Sequence, residues 1–96
     1  MAKQGRDAHQ VSASSDDVFT KAISLFKNER FTLSASGTFS ATLTYQRRFD
    51  GANWFDAEQY TAPTARDGIA AEPMDIRFGI KTGDYTSGTA IIRLGK

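Results

Sequence analysis

Asp56 and Glu58 stand two residues apart, with Asp50 a few positions before them. Paired carboxylates are the side chains that hydrolyse glycosides or hold a hard cation. On a strand that spacing puts both on one face. Charged residues so placed on a half-wet strand read as a solvated edge, and no catalytic or metal role is expected of them. The single histidine, His9, lies in a polar N-terminal stretch that cannot hold it rigidly, as a triad base must be held. Gly79-Ile80-Lys81-Thr82 has the end of a phosphate loop, but Ile80 replaces the second glycine. The chain has no cysteine, which removes disulfides, thiolate metal sites and thiol nucleophiles together. Arg47 and Arg48 point to opposite faces of a strand. Arg77, Lys81 and Arg93 would form an outer basic stripe near Tyr85 if their strands were neighbours. Most aromatics fall on the inferred core face instead, so nucleic acid is not expected as a partner. Catalytic, cofactor-binding and metal-binding residues are all expected to be none.

A body of 96 residues with 40% apolar and 24% charged side chains must carry whatever these residues do. That is about one soluble globular domain. The net charge of +1 gives no electrostatic support for a nucleic-acid or anionic-membrane partner. No stretch approaches the ~20 apolar residues of a membrane helix, and MAKQGRDAHQ lacks the apolar core of a signal peptide. A domain this small buries only about 60% of the surface its unfolded chain exposes. With no disulfide to staple it, oligomerisation or docking on a larger assembly is the common remedy.

Side-chain alternation predicts an all-β body over residues 18–96. Along FSATLTYQRRF, Phe39, Ala41, Leu43, Tyr45 and Phe49 share one face, and Ser40, Thr42, Thr44 and Gln46 share a wet one. Phe31, Leu33 and Ala35 repeat the pattern, as do Ile76, Phe78 and Ile80, and again Ala90, Ile92 and Leu94. Asp50-Gly51-Ala52-Asn53 reads as a hairpin turn before Trp54. One core is expected through Phe39, Leu43, Tyr45, Phe49, Trp54, Ile76, Phe78 and Ile80. Val18 to Phe26 fits either period. Strand is the reading consistent with its surroundings, with Phe19, Ile23 and Leu25 on one face. The fold class is a small antiparallel β-sandwich or barrel of six to seven strands. Residues 1–17, with Val11 their only branched aliphatic, form an extended or flexible N-terminal arm. Thr61 to Pro73 shows no period and reads as a long contact loop.

Two elements carry a family resemblance. Gln46, Arg47, Phe49, Asp50, Gly51 and Trp54 form a Gln-Arg-x-Phe-Asp-Gly turn leading into a Trp strand. Gly83, Asp84, Tyr85, Ser87, Gly88 and Thr89 form a Gly-Asp-Tyr-x-Ser-Gly-Thr hairpin. Together, from Phe31 to Leu94, they resemble small β-rich virion proteins of tailed bacteriophages. The resemblance implies a non-enzymatic structural protein, either a capsid decoration or cement subunit or a head–tail component. It implies location in the virion after synthesis in the host bacterial cytoplasm. Expected partners are the major capsid protein, neck or tail proteins, or further copies of the chain, with no membrane and no cofactor. The Asp50-to-Trp54 turn also looks like the Asp-box hairpin of sialidases, one residue short of its usual spacing; that box is structural and implies no sialidase activity.

Partner-contact candidates are Val11 in the arm, Pro63, Arg66, Asp67 and Ile69 in the long loop, Tyr85 in the late hairpin, and Ile91 on the outer side of the last strand. The alternative is a small β-sandwich module binding carbohydrate or a host surface. That reading needs exposed aromatics, for which Tyr60 and Tyr85 are the candidates.

Overall fold

Antiparallel strands form wherever apolar residues alternate with polar ones, and here also where they do not. The computed structural model describes residues 8–96 and shows eleven strands among them. In order these are β1 (Ala8–Ala13), β2 (Val18–Phe19), β3 (Ile23–Leu25), β4 (Arg30–Ser36), β5 (Phe39–Ala41), β6 (Leu43–Arg48), β7 (Phe55–Tyr60), β8 (Thr64–Ile69), β9 (Met74–Ile80), β10 (Tyr85–Gly88) and β11 (Ala90–Gly95). One sheet has the order β1-β11-β4-β8; the facing sheet runs β2-β9-β6-β7, with β3 also on β9. All pairings are antiparallel. The thin dimension of 17 Å is that of two sheets packed face to face.

Two long strands turn the corner between the layers. The β4–β11 ladder ends at Ser36↔Ile91 and resumes at Phe39↔Gly88 as the β5–β10 pair, after which each chain enters the second sheet. Gly37 and Gly88 make the bend possible, with φ of 99° and 85°. A Cβ on Gly37 would sit 2.6 Å from the Thr89 carbonyl oxygen, and one on Gly88 would run into the Thr38 carbonyl. The bend is tied by Thr89 N–H donating to Thr38 O at 2.9 Å. At the opposite end, Asn28 N–H donates to Ala70 O and Ala70 N–H to Glu29 O, joining the β3–β4 and β8–β9 connections.

The core lies between the sheets: Leu43, Ile76, Phe78, Ile80, Ile92 and Leu94 are fully buried, with Phe31, Leu33 and Tyr45 beside them. Phe39 packs on it partly buried. Phe49 and Trp54 do not join it. Phe49 is 44% exposed, and Trp54 lies half-buried on the outer face of the second sheet, because the turn between β6 and β7 breaks the alternation.

Other expectations also shift. Residues 18–26 are extended, but the break at Thr20–Ala22 reverses the facing. Ile23 and Leu25 point inward, while Phe19 pairs with Gly79 on the outer side. The strand count exceeds six to seven because the corner strands break and two stretches read otherwise are strands. The Thr61-to-Pro73 stretch holds β8, which pairs in full register with β4. An edge strand needs only backbone partners and one inward side, so its polar side chains concealed it. For the same reason the sequence conceals β1: Ala8–Ala13, within the expected 1–17 arm, is extended and pairs with β11. Residues 1–7 of the expected arm lie outside the described residues.

Candidate interaction surface

Three surfaces gather the chain's polar and exposed apolar groups. The first is the outer face of the second sheet, where Thr44 and Gln46 of β6 are buried although their parity reads as wet. Gly79 leaves room for the Phe19 ring to lie over the sheet. The Arg77 guanidinium sits 4.2 Å from the Phe19 ring centroid and 4.4 Å from that of Trp54, and Arg48 sits 4.4 Å from Trp54. The result is a ladder of Phe19, Arg77, Trp54 and Arg48. Beneath it Arg77 Nε donates to Gln46 Oε1 at 2.8 Å, and Gln46 Nε2 donates to Asp56 Oδ1 at 2.8 Å. Lys81 Nζ binds Asp56 Oδ2 at 2.6 Å. Asp75 accepts from Ser24 Oγ at 2.7 Å and from Arg48 Nε at 2.9 Å.

These bonds set the ionisation of the face. The Gln46 amide and Lys81 hold the Asp56 carboxyl below its ordinary range. The Ser24 hydroxyl and then Arg48 do the same for Asp75. Burial, with Arg48 nearby, lowers Arg77. Asp56 and Asp75 are each answered by a cation, while Arg77 is held by the Gln46 amide and two aromatic rings.

The second surface is the open side between β7 and β8. Arg66 Nη1 lies 3.1 Å from Glu58 Oε1 and 3.2 Å from Tyr60 Oη, linking the two sheets. The Tyr60 hydroxyl donates to Glu58 Oε1. Burial and the Glu58 carboxylate push the Tyr60 phenol up to about 12. Tyr60 also meets Phe78 edge-on at 6.1 Å between centroids.

The third surface is the end of the sandwich away from the corner. Phe26 is 76% exposed, Phe55 and Ile69 are each 54% exposed, and Phe49 is 44% exposed. Phe26 follows β3, Phe49 follows β6, Phe55 opens β7 and Ile69 closes β8, so all four lie at the same end. A hollow of about 270 Å³ between Phe26, Phe49, Pro73 and Met74 sits among them. Arg47 lies 5.6 Å from the Phe49 ring centroid.

The sequence-predicted contact residues do not form one patch. Val11 faces inward from β1 and packs on the chain's own core, so it is no free anchor. Pro63 is exposed in the β7–β8 turn; Arg66 and Asp67 are exposed on β8, Arg66 being engaged by Glu58. Ile69 belongs to the apolar end. Tyr85 packs half-buried on the core, its N–H donating to Asp16 Oδ1 and its hydroxyl to Gly88 O. Ile91 is half-buried on the outer side of the first sheet, between Ser12 and Ser36. Tyr60 and Tyr85 are therefore not the exposed aromatics; Phe26, Phe49 and Phe55 are. The basic stripe does not form either, because Arg93 lies on β11 of the first sheet while Arg77 and Lys81 belong to the second.

Sequence reasoning missed the four-residue end and the ladder. The available signal was position: Phe26, Phe49 and Phe55 each stand beside a turn, where alternation no longer guarantees an inward face. No family model, no curated protein and no solved structure matches the chain.

Proposed function

We propose that the chain is a non-enzymatic structural subunit of a bacteriophage virion, a capsid decoration or cement protein or a head–tail component, that docks on other virion subunits by its apolar end. The observation that carries this reading is the gathering of Phe26, Phe49, Phe55 and Ile69 at one end. Capping that end would bury the equivalent of roughly two large side chains, about 3–6 kcal/mol before the costs of association. An exposed apolar patch rimmed by polar groups is the ordinary mark of a protein contact. The resemblance of the Gln46-to-Trp54 and Gly83-to-Thr89 elements to phage virion proteins supplies the partner class.

The test is occupancy on purified particles, measured by mass spectrometry and imaging. The doubly substituted Phe26→Ser, Phe49→Ser chain should keep its melting temperature and lose at least about tenfold in occupancy. Full occupancy of that variant overturns docking by the apolar end. Absence of the unsubstituted chain from particles overturns the virion reading.

A second reading, carbohydrate binding, draws on one observation: Trp54 lies on the outer face beside Gln46, Asp56 and Arg77 rather than in the core. A sugar stacking there would displace a guanidinium and shift the fluorescence of the chain's single tryptophan. Glycan titrations that leave that fluorescence unchanged remove this reading.

A further inference from the structure

Strand edges carry unpaired backbone donors and acceptors, and natural sheets protect them with charges, bulges, prolines or brevity. The edges of this sandwich differ sharply in that protection. β8 presents exposed Arg66 and Asp67. β7 carries Asp56 and Glu58 and a register shift against β6. β2, β3 and β5 are two or three residues long, and β10 is shifted in register and ends in Gly88.

β1 has none of these devices. It runs six residues, AHQVSA, in unbroken register from Ala8↔Gly95 to Ala13↔Ala90. It contains no Asp, Glu, Lys, Arg, Pro or Gly. Among the described residues no strand pairs with its other side.

We propose that this free edge pairs antiparallel with the same edge of a second copy of the chain, joining two four-stranded sheets into one continuous sheet. The self-match follows from symmetry and side-chain type. A two-fold axis normal to the sheet requires opposed residues to lie on the same face, so the axis, midway between the two strands, stands level with a residue rather than between residues. Centred on Gln10, it sets Gln10 against the partner's Gln10, and a carboxamide carries both the donors and the acceptor its twin needs. His9 then faces the partner's Val11, and Ala8 faces the partner's Ser12. No charge meets its like across the axis, and a net charge of +1 per copy offers little long-range repulsion. A foreign strand would have to bring these matches; a second copy always does. The interface does not depend on the virion reading, and its test needs no particle.

The absence of native cysteine makes the register directly readable. Single cysteines placed in turn at residues 8 to 13 should give a covalent dimer on mild oxidation, with the yield greatest for Gln10→Cys and falling on either side. Sedimentation of the unsubstituted chain should show a dimer forming as concentration rises toward about 1 mM. Gln10→Lys, which sets two ammonium groups against each other, should abolish it at unchanged melting temperature. A chain beginning at Ala8 should dimerise like the full chain. A monomer at every concentration, equal cross-linking at all six positions or none, or a Gln10→Lys chain that still dimerises each overturns the proposal. A maximum at Val11 overturns its register.

Discussion

Asp56 and Glu58, separated by a single residue on β7, point to opposite faces of the sheet. Asp56 pairs with Gln46 and Glu58 with Tyr45, so Ala57 is the extra residue of a bulge. The bulge sends Asp56 outward to Lys81 and Glu58 inward to Arg66 and Tyr60. The two carboxylates therefore serve different surfaces and do not act as a pair, which corrects the shared face expected from their spacing.

The Glu58 side of that bulge has a measurable signature at high pH. Tyr60 should ionise near pH 12 in a spectrophotometric titration of the folded protein, above the ordinary phenol value of about 10. Since the folded state holds this proton more tightly than the unfolded chain, its stabilising effect is complete below about pH 10. It is lost as pH rises toward about 12. Glu58→Gln should bring the phenol's titration down. Arg66→Ala, removing one partner of a half-exposed ion pair, should cost no more than about 1 kcal/mol in urea unfolding.

At the acid end the sign reverses. Asp56 and Asp75 have folded pKa values below their ordinary ones, so their contribution is present above about pH 4 and lost as pH falls through the folded values. Urea midpoints should be level from neutral pH down to about 5 and then fall. Asp75→Asn should lower the neutral-pH midpoint and make the acid fall shallower.

Phe78 and Trp54 should part company on truncation. Phe78 is fully buried, and Phe78→Ala should cost about 3–5 kcal/mol. Trp54 contributes chiefly two guanidinium contacts on a half-exposed face, so Trp54→Ala should cost about 1–2 kcal/mol. Calorimetry of the two variants separates them; equal losses would return Trp54 to the core.

Glycines at the corner should be far less replaceable than the one in the β6–β7 turn. All three have positive φ, but a Cβ at Gly51 meets nothing within 4 Å, whereas at Gly37 and Gly88 it meets backbone carbonyls. Gly51→Ala should cost about 1–2 kcal/mol. Gly88→Ala should cost about 2–4 kcal/mol, because backbone oxygen cannot move aside as a side chain would.

The legible parts of this fold are those where one side chain in two is both apolar and buried. Ile76, Phe78 and Ile80, Phe31 and Leu33, and Ile92 and Leu94 reveal their strands and their inward faces directly. Parity fails wherever a residue is inserted or a turn intervenes. The bulge at Ala57 separated Asp56 from Glu58, and the break after Phe19 set its ring opposite to Ile23. β1 and β8 were hidden because edge strands draw their order from backbone pairing, which leaves no pattern in side-chain type. The apolar end was hidden for a different cause: Phe26, Phe49 and Phe55 look like core residues, and only the position of the turns shows that the sandwich has ended before them.

The paired bend at Gly37 and Gly88 has a mechanical meaning. Two neighbouring stretches of covalent backbone pass from one sheet to the other there, bound to each other through Thr89 and Thr38. A shearing load that slides the layers past one another is borne at that end by main chain under tension. At the apolar end the β3–β4 and β8–β9 connections also carry main chain from one sheet to the other, tied by Asn28 N–H to Ala70 O and Ala70 N–H to Glu29 O. Sliding of the layers is therefore resisted by main chain at both ends, at the glycine corner and at the pair of connections that follow Phe26 and Ile69.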